Sequence, residues 1–595
     1  MKLEHTSRMK IALVAMEICF LILIGRLFII QLVHGEGLRA RSESQRYAQL
    51  PPDAKRGKIM DRHHNVLAIN RDLISVYADP KIIRIQPQKL AQRLAPALGK
   101  PQNEIVSILQ QSQRRFVWLQ RNLDYEHIQD IQEAIKGVRG LGYRIHGKRF
   151  YPKNTLACQV LGYTNYANEG VDGVELGLDT YLRGVPVLDA SPEMDEKPVI
   201  TDGKRRLISP PELYEEASEV GFNVHLTLDE YVQHVAEAEL ALGCQEWHAK
   251  RGTAIVMRSK SGEILAMANY PSYDLNAYGS SSEDAKRNLA IWMQFEPGSI
   301  FKIVTASAVI NEKLMTPDSR IYCEMGRYRL SSRHTVHDVK PNGWLTLSEV
   351  IQKSSNIGIL KAASPLGQSG LADYTQRFGF GQITGIELPF EQPGNLRGIR
   401  EWDRYSLATV PFGQGISVTP IQALCAINVI ATKGVLLQPY VIYRIADAEG
   451  DTLKQSHPKP VRRAISAETA REMTEMLVQV TEAGGGTNGR VKGYRVAGKT
   501  GTAQKAIPGQ GYVRGKEITT FAGFLPAEDP QVSIIIVVDE PVGARFSNQV
   551  AAPIFQRIAD QTMRYLNQQA WTERSERLEF TQNALDDVIN AIEVN

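Results

Sequence analysis

The chain has 595 residues, 43% hydrophobic and 23% charged, which is enough apolar content to build real cores and excludes a disordered or collagen-like chain. Its 69 basic and 65 acidic residues leave a net charge of +4, so it carries no electrostatic footprint for nucleic acid. Five scattered cysteines (Cys19, Cys158, Cys244, Cys323, Cys425) form no C-x-x-C pair, which argues against a disulfide framework or a zinc site and reads as buried thiols.

The first element is an apolar stretch from Ile11 to Val33, interrupted by Glu17 and Arg26. At about 1.5 Å per residue it is long enough to span a bilayer, and it is longer than the apolar core of a cleaved signal. Lys2, Arg8 and Lys10 precede it. The positive-inside rule then gives a cytoplasmic tail at 1–10, a single-pass anchor at 11–33, and an extracytoplasmic remainder. Glu17 and Arg26 fall on opposite sides of such a helix at about 100° per residue, so they cannot pair with each other. Each either contacts another membrane protein or snorkels to an interface.

Beyond the anchor, the chain has mixed charge and short strand-like runs to about residue 215. A Pro-, Glu- and Lys-rich stretch, Ala190 to Gly221, reads as a linker. From Phe222 the pattern changes. Asn223–Asp229 alternates, EYVQHVAEAELALG reads as an amphipathic helix, and Gly252–Asn269 reads as two strands joined at a Lys-Ser-Gly turn. Helices follow from about 299 to 432, then a long buried strand at Val532–Asp539 and a closing helix near Ala552–Leu566. Strands, helices and strands again predict an α+β fold, an antiparallel sheet flanked by helices, over 216–568. Residues 569–595 are polar and read as a tail.

One stretch invites a false reading. GYRVAGKT (Gly493–Thr500) satisfies the phosphate-loop pattern, and IIIVVDE (Ile534–Glu540) would suit a magnesium-holding partner. A phosphate loop needs a strand before it and a helix after it. Here GGGTNGRVKG precedes, GTAQKAIPGQGY follows, and Tyr-Arg-Val-Ala itself looks like strand. No helix N-terminus can form there to receive phosphate.

Read one residue on, the stretch is KTGT, Lys499–Thr502. EPGSIFK then supplies S-x-x-K, with Ser299 and Lys302, and KSSN supplies S-x-N, with Ser354 and Asn356. The three motifs stand in order, 55 and 145 residues apart. As a set they belong to acyl-serine chemistry. Ser299 is expected to open a helix, which places Lys302 on the same face and within reach of its hydroxyl. Lys302 can act as base only if burial and a second cation, Lys499, pull its pKa down. The helix N-terminus adds a positive field for an oxyanion. Ser354 and Asn356 alternate, so both can face one side of an extended turn, one relaying a proton and the other binding a substrate amide. In isolation, Ser299 is equally a plain N-cap and S-S-N a helix cap. Gly501 removes a side chain where a substrate backbone must approach, and Thr500, Thr502 and Lys499 offer hydroxyls and charge to a carboxylate. His334, His337 and Asp338 are the only metal-like cluster and read as a structural loop. Trp292, Phe295 and Phe301 read as core. No metal and no cofactor are expected.

With these motifs in place, the sequence resembles the class B penicillin-binding proteins, membrane-anchored peptidoglycan D,D-transpeptidases, and most closely their cell-division branch. RGKIMDR (Arg56–Arg62), RFYPKNTLACQVLGY (Arg149–Tyr163) and GVELGLDTYLRG (Gly173–Gly184) resemble the pedestal motifs of that family. FGQGISVTPIQ (Phe412–Gln422) and FAGFLP (Phe521–Pro526) resemble its transpeptidase motifs. The resemblance implies a pedestal of the dimerisation type at 34–215 and a penicillin-binding domain at 216–568. It implies that Ser299 attacks the D-Ala-D-Ala amide of a stem peptide, with Lys302 as base and Ser354 and Lys499 shuttling the proton. Thr500 and Thr502 would hold the terminal carboxylate, and the backbone N–H groups of Ser299 and Thr502 would form the oxyanion hole. β-Lactams would acylate Ser299. The implied setting is the inner membrane at the septum, with a lipid-II-polymerising glycosyltransferase and other division proteins as partners. An elongation-type transpeptidase, a carboxypeptidase and a non-catalytic scaffold remain the alternatives. Two departures stand out. His63-His64 occupies a turn where the family usually has Asn-Gly, and AIWMQFEPGS ahead of Ser299 is unusually apolar.

Overall fold

A computed structural model of the chain describes residues 55–110, 116–183, 221–331, 334–396, 404–507 and 511–570, with Met16, Phe20, Leu21 and Arg26 before them. The expected cytoplasmic tail, nearly all of the expected anchor, the linker to residue 220 and the tail beyond 570 lie outside the described residues. No helix among the described residues is long and apolar enough to cross a membrane.

The strands of the two larger sheets are β1 (Ile59–Met60), β2 (Val66–Ala78), β3 (Val117–Asp124), β4 (Leu141–Phe150), β5 (Asn223–Leu226), β6 (Arg251–Arg258), β7 (Ile264–Tyr270), β8 (Ile442–Ala446), β9 (Thr452–Gln455), β10 (Ala497–Ile507), β11 (Gly511–Leu525) and β12 (Val532–Asp539). The helices that matter below are α1 (Pro87–Leu98), α2 (Gln102–Leu109), α3 (Ile128–Ile135), α4 (Glu230–Glu246), α5 (Lys302–Asn311), α6 (Leu347–Gln352), α7 (Asn356–Ala363), α8 (Pro420–Ala431), α9 (Ala467–Glu482) and α10 (551–570).

The main sheet is antiparallel throughout, in the order β10-β11-β12-β6-β7. Every residue of β12 is buried because the sheet is covered on both faces. Ile534, Ile536 and Val538 pack with Val232, Ala236 and Leu240 of α4 and Ile554, Phe555 and Ile558 of α10. Their neighbours Ile535 and Val537 join the opposite core with Ile421 of α8 and Met473 and Leu477 of α9. That split is the two-residue period of a strand expressed in packing. β10 is left at the sheet edge, beside the helical half of the molecule. It begins at Ala497, so Tyr494 and Arg495 precede the strand rather than lie in it. Gly493, at φ +87°, turns the chain there, and Val491 bridges to Tyr494. Lys499 and Thr500 sit mid-strand with no helix after them, a geometry that cannot cradle a phosphate.

Nearer the N-terminus, β3 and β4 flank β2, and α1, α2 and α3 cover them. The three pedestal motifs meet in one buried ion network. Arg56 Nε lies 2.6 Å from Glu175 Oε2, and Arg149 Nε lies 2.6 Å from Glu175 Oε1. Arg56 also reaches Asp179 at 2.5 Å and donates to the Glu175 carbonyl, while Arg149 donates to the Gly57 carbonyl. Two guanidiniums around one carboxylate satisfy charges that burial would otherwise make very costly. The His63-His64 turn is resolved by the same logic of local compensation. His64 adopts φ +67°, a left-handed conformation that histidine tolerates better than most residues, and packs edge-on against His225 with ring centroids 4.8 Å apart. His63 Nε2 lies 3.0 Å from Asp229 Oδ2, at the N-terminus of α4.

Cys158, Cys244, Cys323 and Cys425 are free and buried.

Candidate active site

Ser299 sits in a 3₁₀ turn, Gly298–Phe301, that runs into α5 at Lys302. Two glycines shape this turn. Gly298 has φ +51°, and a Cβ there would lie 3.1 Å from the Thr502 carbonyl. Gly413 has φ +81°, and a Cβ there would strike the Gly298 carbonyl at 2.2 Å. The close approach lets Gly298 N–H donate to the Gly413 carbonyl, so the FGQG segment backs the nucleophile turn. On the other side, Gly501 faces Ile300 and Pro297, where a Cβ would meet Ile300 Cγ1 at 2.8 Å. Edge strand β10 therefore runs directly past Ser299.

Ser354 is the hub of the site. Its Oγ donates to Ser299 Oγ at 2.9 Å and accepts from Lys302 Nζ and Lys499 Nζ, each at 3.1 Å. Lys302 Nζ also donates to the Ser354 carbonyl at 2.6 Å and to Asn356 Oδ1 at 2.8 Å, and Lys499 Nζ donates to the Thr500 carbonyl at 3.1 Å. The expected direct reach from Lys302 to Ser299 is not what the site shows. The partner of Ser299 Oγ is Ser354 Oγ, and the lysine connects through that hydroxyl. The physical reason is that the lysine's two pure acceptors, the Ser354 carbonyl and Asn356 Oδ1, lie on the S-S-N loop and draw the ammonium there.

Both lysines are fully buried. Burial, and then the neighbouring Lys499 charge, hold Lys302 well below the usual lysine value, while Asp338 acts the other way. Burial pulls Lys499 down to about 7. A neutral Lys302 fits the cage well. Two N–H bonds meet two fixed acceptors, and its lone pair faces Ser354 Oγ. The hydroxyl chain can then reverse, with Ser299 donating to Ser354 and Ser354 to the amine, which is the direction nucleophile activation requires.

The S-S-N loop is not an extended turn. Ser354 is left-handed at φ +57°, Ser355 is the N-cap of α7 with its Oγ accepting from Gly358 N–H, and Asn356 is the first residue of that helix. Convergence of Ser354 and Asn356 on Lys302 comes from a tight α6–α7 turn, not from strand alternation. Asn356 Oδ1 is engaged by Lys302 and its Nδ2 donates to the His337 carbonyl, so the side chain holds the lysine in place.

Asp338, read from sequence as part of a structural loop, is the support under this motif. Its Oδ1 accepts from the backbone N–H of Asn356 at 2.6 Å and of Ile357 at 3.0 Å, and its Oδ2 accepts from Ser355 Oγ at 2.6 Å. A carboxylate there also complements the positive end of α7. Among the described residues no group of three or more metal-ligating side chains comes together, and the expected loop is in part a short strand, Thr335–His337, paired with Arg327–Arg329, which His334 precedes and Asp338 follows. On β10, Thr500 and Thr502 share the strand face opposite Gly501, with Thr502 exposed.

Comparison with known proteins agrees with this geometry. The chain matches the family described as "Penicillin binding protein transpeptidase domain" over residues 252–560, and that described as "Penicillin-binding Protein dimerisation domain" over residues 51–187. It is 32% identical to stage V sporulation protein D of Bacillus subtilis over 90% of this chain and 82% of the relative. It is 30% identical to peptidoglycan D,D-transpeptidase FtsI of Escherichia coli over 92% of this chain and 89% of the relative. A crystal structure of penicillin-binding protein 3 from Mycobacterium tuberculosis with aztreonam superposes with a TM-score of 0.66 at 28% identity, covering 87% of this chain and 97% of that one.

Proposed function

Because this chain belongs to the class B penicillin-binding proteins and is a serine-type peptidoglycan D,D-transpeptidase, we propose that it cross-links stem peptides at the division septum through an acyl-enzyme on Ser299. The observation that carries this reading is the Ser299–Ser354–Lys302/Lys499 hydrogen-bond chain, with both lysines buried. Ser299 Oγ attacks the carbonyl of the penultimate D-Ala. Its proton passes through Ser354 to a neutral lysine and then to the departing D-Ala amine. Backbone N–H groups of Ser299 and Thr502 stabilise the oxyanion, and Thr500 faces the terminal carboxylate. An amine of a neighbouring stem peptide then resolves the ester. β-Lactams enter as amide mimics and stop at the acyl-enzyme. The anchor at 11–33 holds the enzyme in the inner membrane with its catalytic domain outside the cytoplasm, where a lipid-II-polymerising glycosyltransferase supplies new strands.

The test is intact mass of the detergent-solubilised full chain after incubation with benzylpenicillin, for wild type and Ser299→Ala. An adduct on the wild type alone is the expected result; an adduct on both, or on neither, refutes the assignment of Ser299. Products from a stem-peptide donor with an amine acceptor then separate cross-linking from hydrolysis, and D-Ala release without a cross-linked product would make the enzyme a carboxypeptidase.

A further inference from the structure

Ser547, in the loop after β12, is 1% exposed and touches the KTGT strand at two points. Its Oγ lies 2.9 Å from Thr502 Oγ1, donates to the Gly501 carbonyl, and accepts from the Thr520 backbone N–H at 3.3 Å. Counting protons fixes the direction of the ambiguous contact. A serine hydroxyl has one proton, and a carbonyl oxygen can only accept. If Ser547 gave its proton to Thr502, its oxygen and the Gly501 carbonyl would face each other with no hydrogen between them. Ser547 therefore donates to Gly501, and its lone pairs receive the Thr520 N–H and the Thr502 O–H.

Thr502 is the exposed member of this pair, on the strand face it shares with Thr500. With its proton turned inward to Ser547, it presents lone pairs to the groove. An incoming carboxylate would meet oxygen against oxygen unless the Thr502 hydroxyl let go of Ser547. Resting on the acyl-serine reading above, we propose that Ser547 is a positioning residue that sets the polarity of the Thr502 hydroxyl. In this chain, carboxylate recognition falls chiefly to Thr500, and Ser547 weakens the grip on the terminal carboxylate of donor peptides and β-lactams.

The test compares Ser299 acylation of the full-length enzyme by benzylpenicillin and by its methyl ester, which lacks the anionic group. Ser547→Ala frees the Thr502 proton. The expected result is a benzylpenicillin rate raised about three- to tenfold, the effect of one hydrogen bond, with the methyl ester rate unchanged. The same substitution in a Thr502→Val background is expected to give no gain. A Ser547→Ala enzyme whose rates are unchanged, or change equally for both compounds, overturns the proposal and makes Ser547 a clamp for β10 alone. Thr502→Val by itself gives a second reading should Ser547→Ala not fold. With the hydroxyl already committed, it is expected to cost benzylpenicillin less than about threefold, and a loss of tenfold or more confined to the acid overturns the proposal. Wild type that neither compound acylates overturns the nucleophile assignment as well, whereas acylated wild type with no carboxylate-specific response overturns only the role of Ser547.

Discussion

A lysine in water is an ammonium up to about pH 10.4 and cannot accept a proton from serine. Lys302 and Lys499 escape that limit because each is fully buried, and the Lys499 charge further raises the cost of charging Lys302. Protonation is thus the event that switches the site off. The sign follows directly. As pH falls, the Lys302 ammonium forms, the hydroxyl chain can no longer run from Ser299 to that amine, and acylation slows. Because burial and the Lys499 charge hold Lys302 well below the usual lysine value, the second-order rate of benzylpenicillin acylation is expected to rise with pH and to level well below about pH 10.4. Asp338 gives this prediction a second arm. Its carboxylate favours the Lys302 ammonium, so Asp338→Asn is expected to move the rising limb to lower pH. It also sets an amide N–H against donors that now point at carboxylate oxygens, so the plateau should fall about tenfold or more. A lowered plateau with an unmoved limb would mean that Asp338 shapes the α7 turn without influencing the lysines.

At the scale of elements, one carboxylate ties the pedestal motifs together. Glu175 bridges Arg56, just ahead of β1, and Arg149, near the end of β4, with all three side chains almost wholly removed from water. Glu175→Gln keeps the shape and removes the charge, leaving two buried guanidiniums short of a counter-ion. The expected loss is about 3–5 kcal/mol in chemical denaturation, with benzylpenicillin acylation of the folded enzyme unchanged because the network lies in the pedestal. Equal stability of the variant would show that Asp179 and the backbone carbonyls suffice. Much of this architecture was legible beforehand. Alternation marked β5, two runs joined at a Lys-Ser-Gly turn marked β6 and β7, a continuous apolar run marked β12, the amphipathic run marked α4, and the absence of a helix after Lys499 disposed of the phosphate loop. The three motifs marked most of the site as well. What local pattern cannot carry is who meets whom. Ser354 in a left-handed conformation, Asp338 beneath α7, and Ser547 against Thr502 are all settled by contacts 17 to 45 residues apart or by tertiary override of a local preference. The S-S-N tripeptide both hydrogen-bonds Ser299 and Lys302 and caps α7, and sequence alone offered the site and the cap as alternatives.

For the whole molecule, the expected break near residue 216 separates two runs of sequence but not two sheets. β1, from the pedestal side, pairs in parallel with β5, Ile59 opposite Val224, and β5 pairs antiparallel with β8. β1 also pairs with β2, so one seven-stranded sheet runs from β9 through β8, β5 and β1 into β2, β3 and β4. Side chains reinforce the seam. Glu237 of α4 accepts the Ala157 N–H at 2.7 Å, and Gln159 donates to the carbonyls of Pro271 and Ala285. Residues of both parts also share one hydrophobic core, including Ile59, Leu67 and Leu161 with Val224, Leu226 and Ile442. An interface built from a shared sheet and a shared core resists separation far better than two globules on a tether. The folded protein is therefore expected to lose its pedestal and its catalytic competence together. Thermal unfolding followed by far-ultraviolet circular dichroism, by tryptophan fluorescence and by residual benzylpenicillin binding should give coincident midpoints, and Glu175→Gln should lower all three by the same amount. If instead Glu175→Gln produced an early transition that left benzylpenicillin binding intact, the pedestal would be an independent folding unit. The β1–β5 pairing would then be a contact between domains and not the spine of one.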